Sequence, residues 1–113
     1  MLTDSHTHLY LEDFNNDLNA VIKNALDNKV DRFLLPNIDE TTISSLLDLH
    51  KKNPKVFFPM LGLHPCSVKK NFIKKLEDIY KYIDQYPFIG IGEIGIDLYW
   101  DNTFIEEQKE ALA

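Results

Sequence analysis

Phe33-Leu34-Leu35-Pro36 is an apolar run without a single polar position, set between Asp31-Arg32 and Asn37. A strand with one wet face alternates apolar and polar residues, whereas a short unbroken run fits a strand buried on both faces. Two comparable runs lie further on: Val56 to Leu61, ending at Gly62, and Phe88-Ile89-Gly90-Ile91-Gly92-Glu93-Ile94, which is glycine-rich where a backbone or ligand must come close. Before them, Leu2 to His8 is short and polar at alternate positions, as a strand would be.

Helical spacing fills the intervals between these runs. Phe14, Leu18, Val21, Ile22, Ala25 and Leu26 make one apolar face, capped near Glu12 or Asp13 and fading at Asn28. Asp39 reads as the N-cap of a second helix presenting Ile43, Leu46, Leu47 and His50, stopped by Asn53-Pro54. A third carries Phe72, Leu76, Ile79, Tyr80 and Ile83 and breaks at Tyr86-Pro87. A fourth begins near Thr103 and runs through Phe104, Gln108 and Leu112.

Strand and helix thus alternate four times, which predicts an α/β fold with a parallel sheet and right-handed crossovers. The sheet is either open and doubly wound or part of a barrel. The last helix ends in Glu110-Ala111-Leu112-Ala113 with no glycine cap, so the expectation is a chain that stops inside an element. No linker or low-complexity segment divides it, and residues 1–113 read as one domain.

Composition narrows the classes. With 113 residues, 44% hydrophobic and 27% charged, the chain is long enough for its own core and too balanced for a disordered or coiled-coil protein. Val56 to Leu63, the longest apolar stretch, is broken by Pro59 and Gly62 and falls far short of the roughly 20 residues of a membrane helix. No basic start and apolar core mark a secretory signal, and a lone Cys66 fits a reducing, cytoplasmic setting. The formal charge is −6, which argues against holding nucleic acid by bulk electrostatics. Its distribution is uneven: residues 51–75 carry seven lysines and no acid, with nine acids on either side.

Three motifs carry chemistry. In Asp4-Ser5-His6-Thr7-His8, side chains two apart on a strand share a face, so both imidazoles would reach one divalent ion at about 2.0–2.1 Å; chance histidines near a loose terminus are the bland reading. Glu93, in Gly92-Glu93-Ile94-Gly95-Ile96-Asp97, falls at a strand's carboxyl end, where sites of parallel α/β proteins assemble. A carboxylate in so apolar a run needs a positive partner, either such a metal or a lysine. His64, in Gly62-Leu63-His64-Pro65, lines the same mouth or is an idle loop residue. His50, late in its helix, reads as structural.

Taken in order and at these intervals, Asp4-Ser5-His6-Thr7-His8-Leu9, Gly62-Leu63-His64-Pro65, Gly92-Glu93-Ile94-Gly95-Ile96-Asp97 and Phe104-x-x-x-Gln108 resemble the TatD family of metal-dependent hydrolases, across residues 4 to 108. The resemblance implies the N-terminal half, four βα units, of a (β/α)8 TIM barrel. It implies a site for two divalent ions (Mg, Mn or Zn) and phosphodiester hydrolysis by metal-activated water, with DNA as substrate. His6 and His8 would bind one metal, Glu93 would bridge both, and His64 would lie in the pocket beside substrate. Lys69 and Lys70 would position a phosphate backbone, and Asp4 and Asp97 would support the ligands from behind. A full barrel takes about 250 residues. Two further histidines and a catalytic aspartate would come from strands beyond these 113 residues, so no catalytic residue is assigned within this chain and little activity is expected of it alone. Alternatives are another amidohydrolase-like or PHP-type phosphoesterase, or a non-catalytic half-barrel that self-associates through its open sheet edges.

Overall fold

The computed structural model describes residues 1–113. Three strands, β1 (Leu2–Asp4), β2 (Val30–Leu35) and β3 (Phe57–Pro59), form a parallel sheet in the order β1-β2-β3. Phe33 pairs with Phe57 and Leu35 with Pro59, while the register of β1 against β2 shifts between Leu2 and Thr3. Helices α1 (Leu18–Asp27), α2 (Ile43–Lys52) and α3 (Phe72–Tyr80) follow the successive strands, and α4 (Ile105–Leu112) closes the chain. One-turn 3-10 helices at Glu12–Phe14 and Pro65–Ser67 sit in the loops after β1 and β3.

The fourth apolar run does not become a regular strand. It lies in the strand-four position, parallel to β3: Ile89 N–H donates to Pro59 O at 3.0 Å, Leu61 N–H to Gly90 O at 3.1 Å and Gly92 N–H to Leu61 O at 2.9 Å. Gly90 and Gly92 bring no side chains to pack, and the backbone of Gly92 and Glu93 turns to bond Asn37. Likewise β1 ends at Asp4 rather than reaching His8, although Thr7 N–H still donates to Leu34 O at 3.2 Å.

Two apolar clusters hold the layers together. Leu9, Tyr10, Phe33, Leu35, Leu46, Leu49 and Phe57 fill the space between sheet and α2, with Phe33 and Phe57 stacked at 5.6 Å, and the predicted face of α1 packs on their flank. Ile43, Leu47, Leu61, Leu63, Val68, Phe72 and Ile79 join α2 and α3 to the end of β3. His50 is structural, as its place before two lysines suggests: its Nδ1 lies 2.8 Å from Phe57 O, tying α2 to β3. Asp39 does not cap α2, which begins three residues later behind Thr42; it accepts from the Thr41 N–H and hydroxyl instead. No helix is long and apolar enough to cross a membrane.

Candidate metal centre

Every loop that leaves the carboxyl end of a strand contributes to one cluster. After β1 the chain presents His6 and His8. Asp4 helps to bend it there, its Oδ1 accepting from the His6 N–H at 3.1 Å, and buried Leu9 and Tyr10 anchor the far side. The segment after residue 91 presents Glu93. His6 Nε2 and His8 Nε2 lie 3.0 and 3.3 Å from Glu93 Oε2 and 3.3 Å from each other. Adjacent donors around an ion at about 2.0–2.1 Å stand about 2.9 Å apart at right angles and about 3.4 Å apart at the tetrahedral angle. The three observed separations fall inside that window, and two imidazoles with one carboxylate are a donor set that suits zinc or manganese. His6, His8 and Glu93 therefore fit a divalent ion.

Hydrogen bonds decide which nitrogens are free. His8 Nδ1 lies 2.9 Å from the Tyr10 hydroxyl and 3.1 Å from Pro36 O. Pro36 O accepts the Tyr10 hydroxyl proton and has none to give, so His8 Nδ1 must carry the hydrogen and its Nε2 keeps a bare lone pair toward Glu93. Burial pushes the His8 pKa down, with His6 and His64 adding to the shift and Glu93 opposing it, so the ring is held neutral, the form that ligates. Burial also raises the Tyr10 phenol above its ordinary range, keeping it a donor.

His64 is wired the other way. Its Nδ1 accepts from the Cys66 N–H at 3.0 Å, which places the hydrogen of the neutral ring on Nε2, 3.2 Å from Glu93 Oε1. An N–H facing that carboxylate orients it and can meet another anion. It cannot bind a cation while the Cys66 bond lasts. Glu93 faces three imidazoles, and no lysine reaches it.

The other named residues are more distant. Lys69 pairs with Asp101 at 3.5 Å and lies over the Phe104 ring at 5.0 Å; Lys70 is exposed. Asp97 accepts from the Tyr99 N–H at 2.9 Å and from the Cys66 thiol at 3.6 Å, and hydrogen-bonds to none of His6, His8 or Glu93.

Asn37, no candidate by sequence, proves central. It is fully buried, and all four of its polar groups are used. Its N–H donates to Gly92 O at 2.9 Å and its carbonyl accepts from Glu93 N–H at 3.0 Å. Its Nδ2 donates to Gly62 O at 2.9 Å, and its Oδ1 accepts from the Thr42 hydroxyl at 2.8 Å. Asn37 thereby fastens the backbone of Glu93 to the ends of β2 and β3. A lone amide following Pro36 at the end of an apolar run was its one signal. Tyr10, which fixes the His8 tautomer, had none beyond its type.

A parallel α/β sheet whose strand ends converge two imidazoles and a carboxylate has the build of the metal-dependent barrel hydrolases. The family model of TatD-related DNases matches residues 3–113, and the chain belongs to that family. It is 30% identical over 112 residues to the uncharacterized metal-dependent hydrolase YabD of Bacillus subtilis, covering 99% of this chain and 44% of that one. It is 26% identical over 117 residues to the human deoxyribonuclease TATDN3, covering 96% and 43%. The crystal structure of YjjV, a TatD homologue from Escherichia coli, superposes with a TM-score of 0.87 at 26% identity, covering 98% of this chain and 43% of that one. The fold is thus part of a TIM barrel, and the chain spans less than half the length of these relatives.

Proposed function

We propose that this chain supplies the His6–His8–Glu93 part of a divalent-metal centre that hydrolyses phosphodiester bonds, with DNA as the substrate class. The observation that carries this reading is the spacing of the three donor atoms, 3.0–3.3 Å, on three facing side chains. Names of relatives, deoxyribonuclease among them, support the substrate. An ion held there supplies Lewis-acid polarisation of a phosphoryl oxygen and acidifies water. The chain's own residues do the rest. His8, locked by Pro36 O and Tyr10, presents a lone pair without tautomeric loss. Glu93 would bind through Oε2 while its Oε1 accepts from His64 Nε2–H, and His64 would lie in the pocket beside substrate. Lys69, freed from Asp101, and the exposed Lys70 would meet the flanking phosphates. The ion also answers the charge problem, because an acidic surface can hold phosphate through a cation.

With three ligands, the 113-residue chain binds one ion weakly and turns over little DNA. Isothermal titration with Zn²⁺ and Mn²⁺ tests the assignment: one site is expected, lost in Glu93→Ala and in His6→Ala/His8→Ala. Unchanged metal uptake in those variants removes the ligand assignment. Robust metal-dependent DNA degradation by the pure chain removes the weak-activity claim.

A further inference from the structure

Asn37, His50 and Gln108 are the buried polar residues of this chain, and the centre as described leaves only Gln108 without a task. It sits on the inner side of α4 and is 3% exposed. A buried amide costs free energy unless its donor and its acceptor are both met. Gln108 meets both on one residue: its Oε1 accepts from the Asp97 N–H at 2.8 Å, and its Nε2 donates to Asp97 O at 3.0 Å. An N–H and a carbonyl side by side accept the amide in one orientation only, so the two bonds fix each other. Gln108 grips the loop after Glu93 as a neighbouring strand would.

The gripped residue reaches back to the metal centre. Asp97 Oδ1 accepts from the Tyr99 N–H at 2.9 Å, and its Oδ2 takes the Cys66 thiol at 3.6 Å. The Cys66 N–H in turn donates to His64 Nδ1 at 3.0 Å. That bond leaves the proton of the neutral ring on Nε2, 3.2 Å from Glu93 Oε1. A second tie runs beside the first: from the His64 loop, Lys69 pairs with Asp101 at 3.5 Å and lies over the ring of Phe104, behind which α4 begins. Both loops are therefore fastened to the first turns of one helix.

We propose that Gln108 is a positioning residue: through Asp97 and Cys66 it holds the His64 ring as an Nε2–H donor to Glu93, and so sets which carboxylate oxygen faces His6 and His8. The consequence for metal rests on the reading above; the chain of bonds does not. Without the grip, the Asp97 side chain loses its bearing, the His64 loop loosens, and the ring is free to carry its proton on Nδ1. Nε2 then presents a lone pair to Glu93 Oε1, and repulsion turns the carboxylate away.

Gln108→Met keeps the volume of the side chain and removes both bonds. Long-range ¹H–¹⁵N spectra in mildly alkaline buffer read the tautomer, with His64→Ala assigning the signals. The parent should show the Nε2–H form alone and Gln108→Met a mixture of the two. Zinc calorimetry closes a double-mutant cycle. Gln108→Met should weaken binding about tenfold in the parent. In a His64→Ala background it should weaken binding less than about twofold, because the path is already cut. Asp97→Ala leaves the Gln108 bonds to the backbone and breaks the link to Cys66; it should give the same mixture of tautomers at a near-parental urea midpoint, and it decides the matter if Gln108→Met does not fold. A pure Nε2–H form in both variants, or an equal zinc loss with and without His64, overturns the proposal and leaves Gln108 a stabiliser of the loop. If the parent takes up no zinc, the metal reading fails by itself, and the tautomer spectra still decide what Gln108 does.

Discussion

Replacing Gly62 by alanine should damage the centre without touching a ligand. A Cβ built on Gly62 would lie 2.7 Å from the Gly92 carbonyl carbon and 2.9 Å from both Gly92 O and Glu93 O. Ordinary contact begins near 3.4 Å, so the Gly92–Glu93 backbone must retreat by about 0.7 Å (3.4 minus 2.7). The neighbour is backbone already held at 2.9–3.0 Å by Asn37 and Leu61, so there is no flexible tip to swing away. Overpacking of this kind costs about 1–3 kcal/mol, and loosening one or two of those hydrogen bonds adds about 1 kcal/mol. A loss of about 2–4 kcal/mol lowers the melting temperature of a domain this size by roughly 10–15 °C. Metal–ligand distances tolerate only about 0.2 Å, so Zn²⁺ affinity should fall about 10- to 100-fold as Glu93 is displaced. Gly92→Ala is the control. Its added Cβ would meet the Met60 methyl at 2.9 Å, the far end of a side chain free to turn, and should cost under about 1 kcal/mol. Thermal melts followed by circular dichroism and zinc calorimetry on both variants decide the matter. Equal losses in the two, or a Gly62→Ala protein with parental affinity, would refute the claim that this close approach sets the position of Glu93.

Other expectations follow from single residues. Asn37→Ala leaves the buried Gly62 carbonyl unpaired and opens a void, and should cost about 2–4 kcal/mol in urea unfolding; a loss under 1 kcal/mol would count against its role. Tyr10→Phe removes the hydroxyl shared by Pro36 O and His8 Nδ1, and should weaken zinc binding severalfold while the fold persists, by calorimetry beside a melt. Burial raises the Tyr10 phenol pKa, so the native state favours its neutral form. The stability this confers is complete below the ordinary phenol pKa and fades as pH rises above it; ultraviolet titration should show a late phenolate component that Tyr10→Phe abolishes. Lys29 closes α1 with a positive φ of 65°, so Lys29→Gly should raise stability by roughly 0.5–1 kcal/mol, read as a higher urea midpoint.

Much of the architecture was written in local pattern. Unbroken apolar runs and the helical spacing that filled every interval made alternation and parallel order legible, although cover on both faces did not follow: Phe33 and Leu35 are buried while Leu34 between them is only partly so. The extents were less so. Nothing in Phe88 to Ile94 states that the backbone of Gly92 and Glu93 will be drawn to Asn37, and that bond, together with Gly90 and Gly92, keeps the segment from closing as a strand. Asp39 offered a fair cap by type, but α2 starts behind Thr42, whose hydroxyl turns to Asn37 and leaves the helix without a side-chain cap. Local rules see a residue's own preferences and not the distant group competing for it.

The same distinction runs through the site. Imidazoles and a carboxylate announce metal chemistry by their nature, so His6, His8 and Glu93 could be picked out before any coordinates. What brings their atoms within 3.0–3.3 Å is supplied by residues of no chemical distinction: a carbonyl at Pro36, the missing side chain of Gly62, and the four bonds of Asn37. These span residues far apart in sequence, and each works only because the sheet has already set the strand ends side by side. Donor atoms already at coordination spacing mean that an incoming ion need not reorganise the backbone. On the reading proposed above, the remaining barrier to tight binding is the number of ligands, and the His64 proton facing Glu93 keeps that carboxylate turned toward His6 and His8.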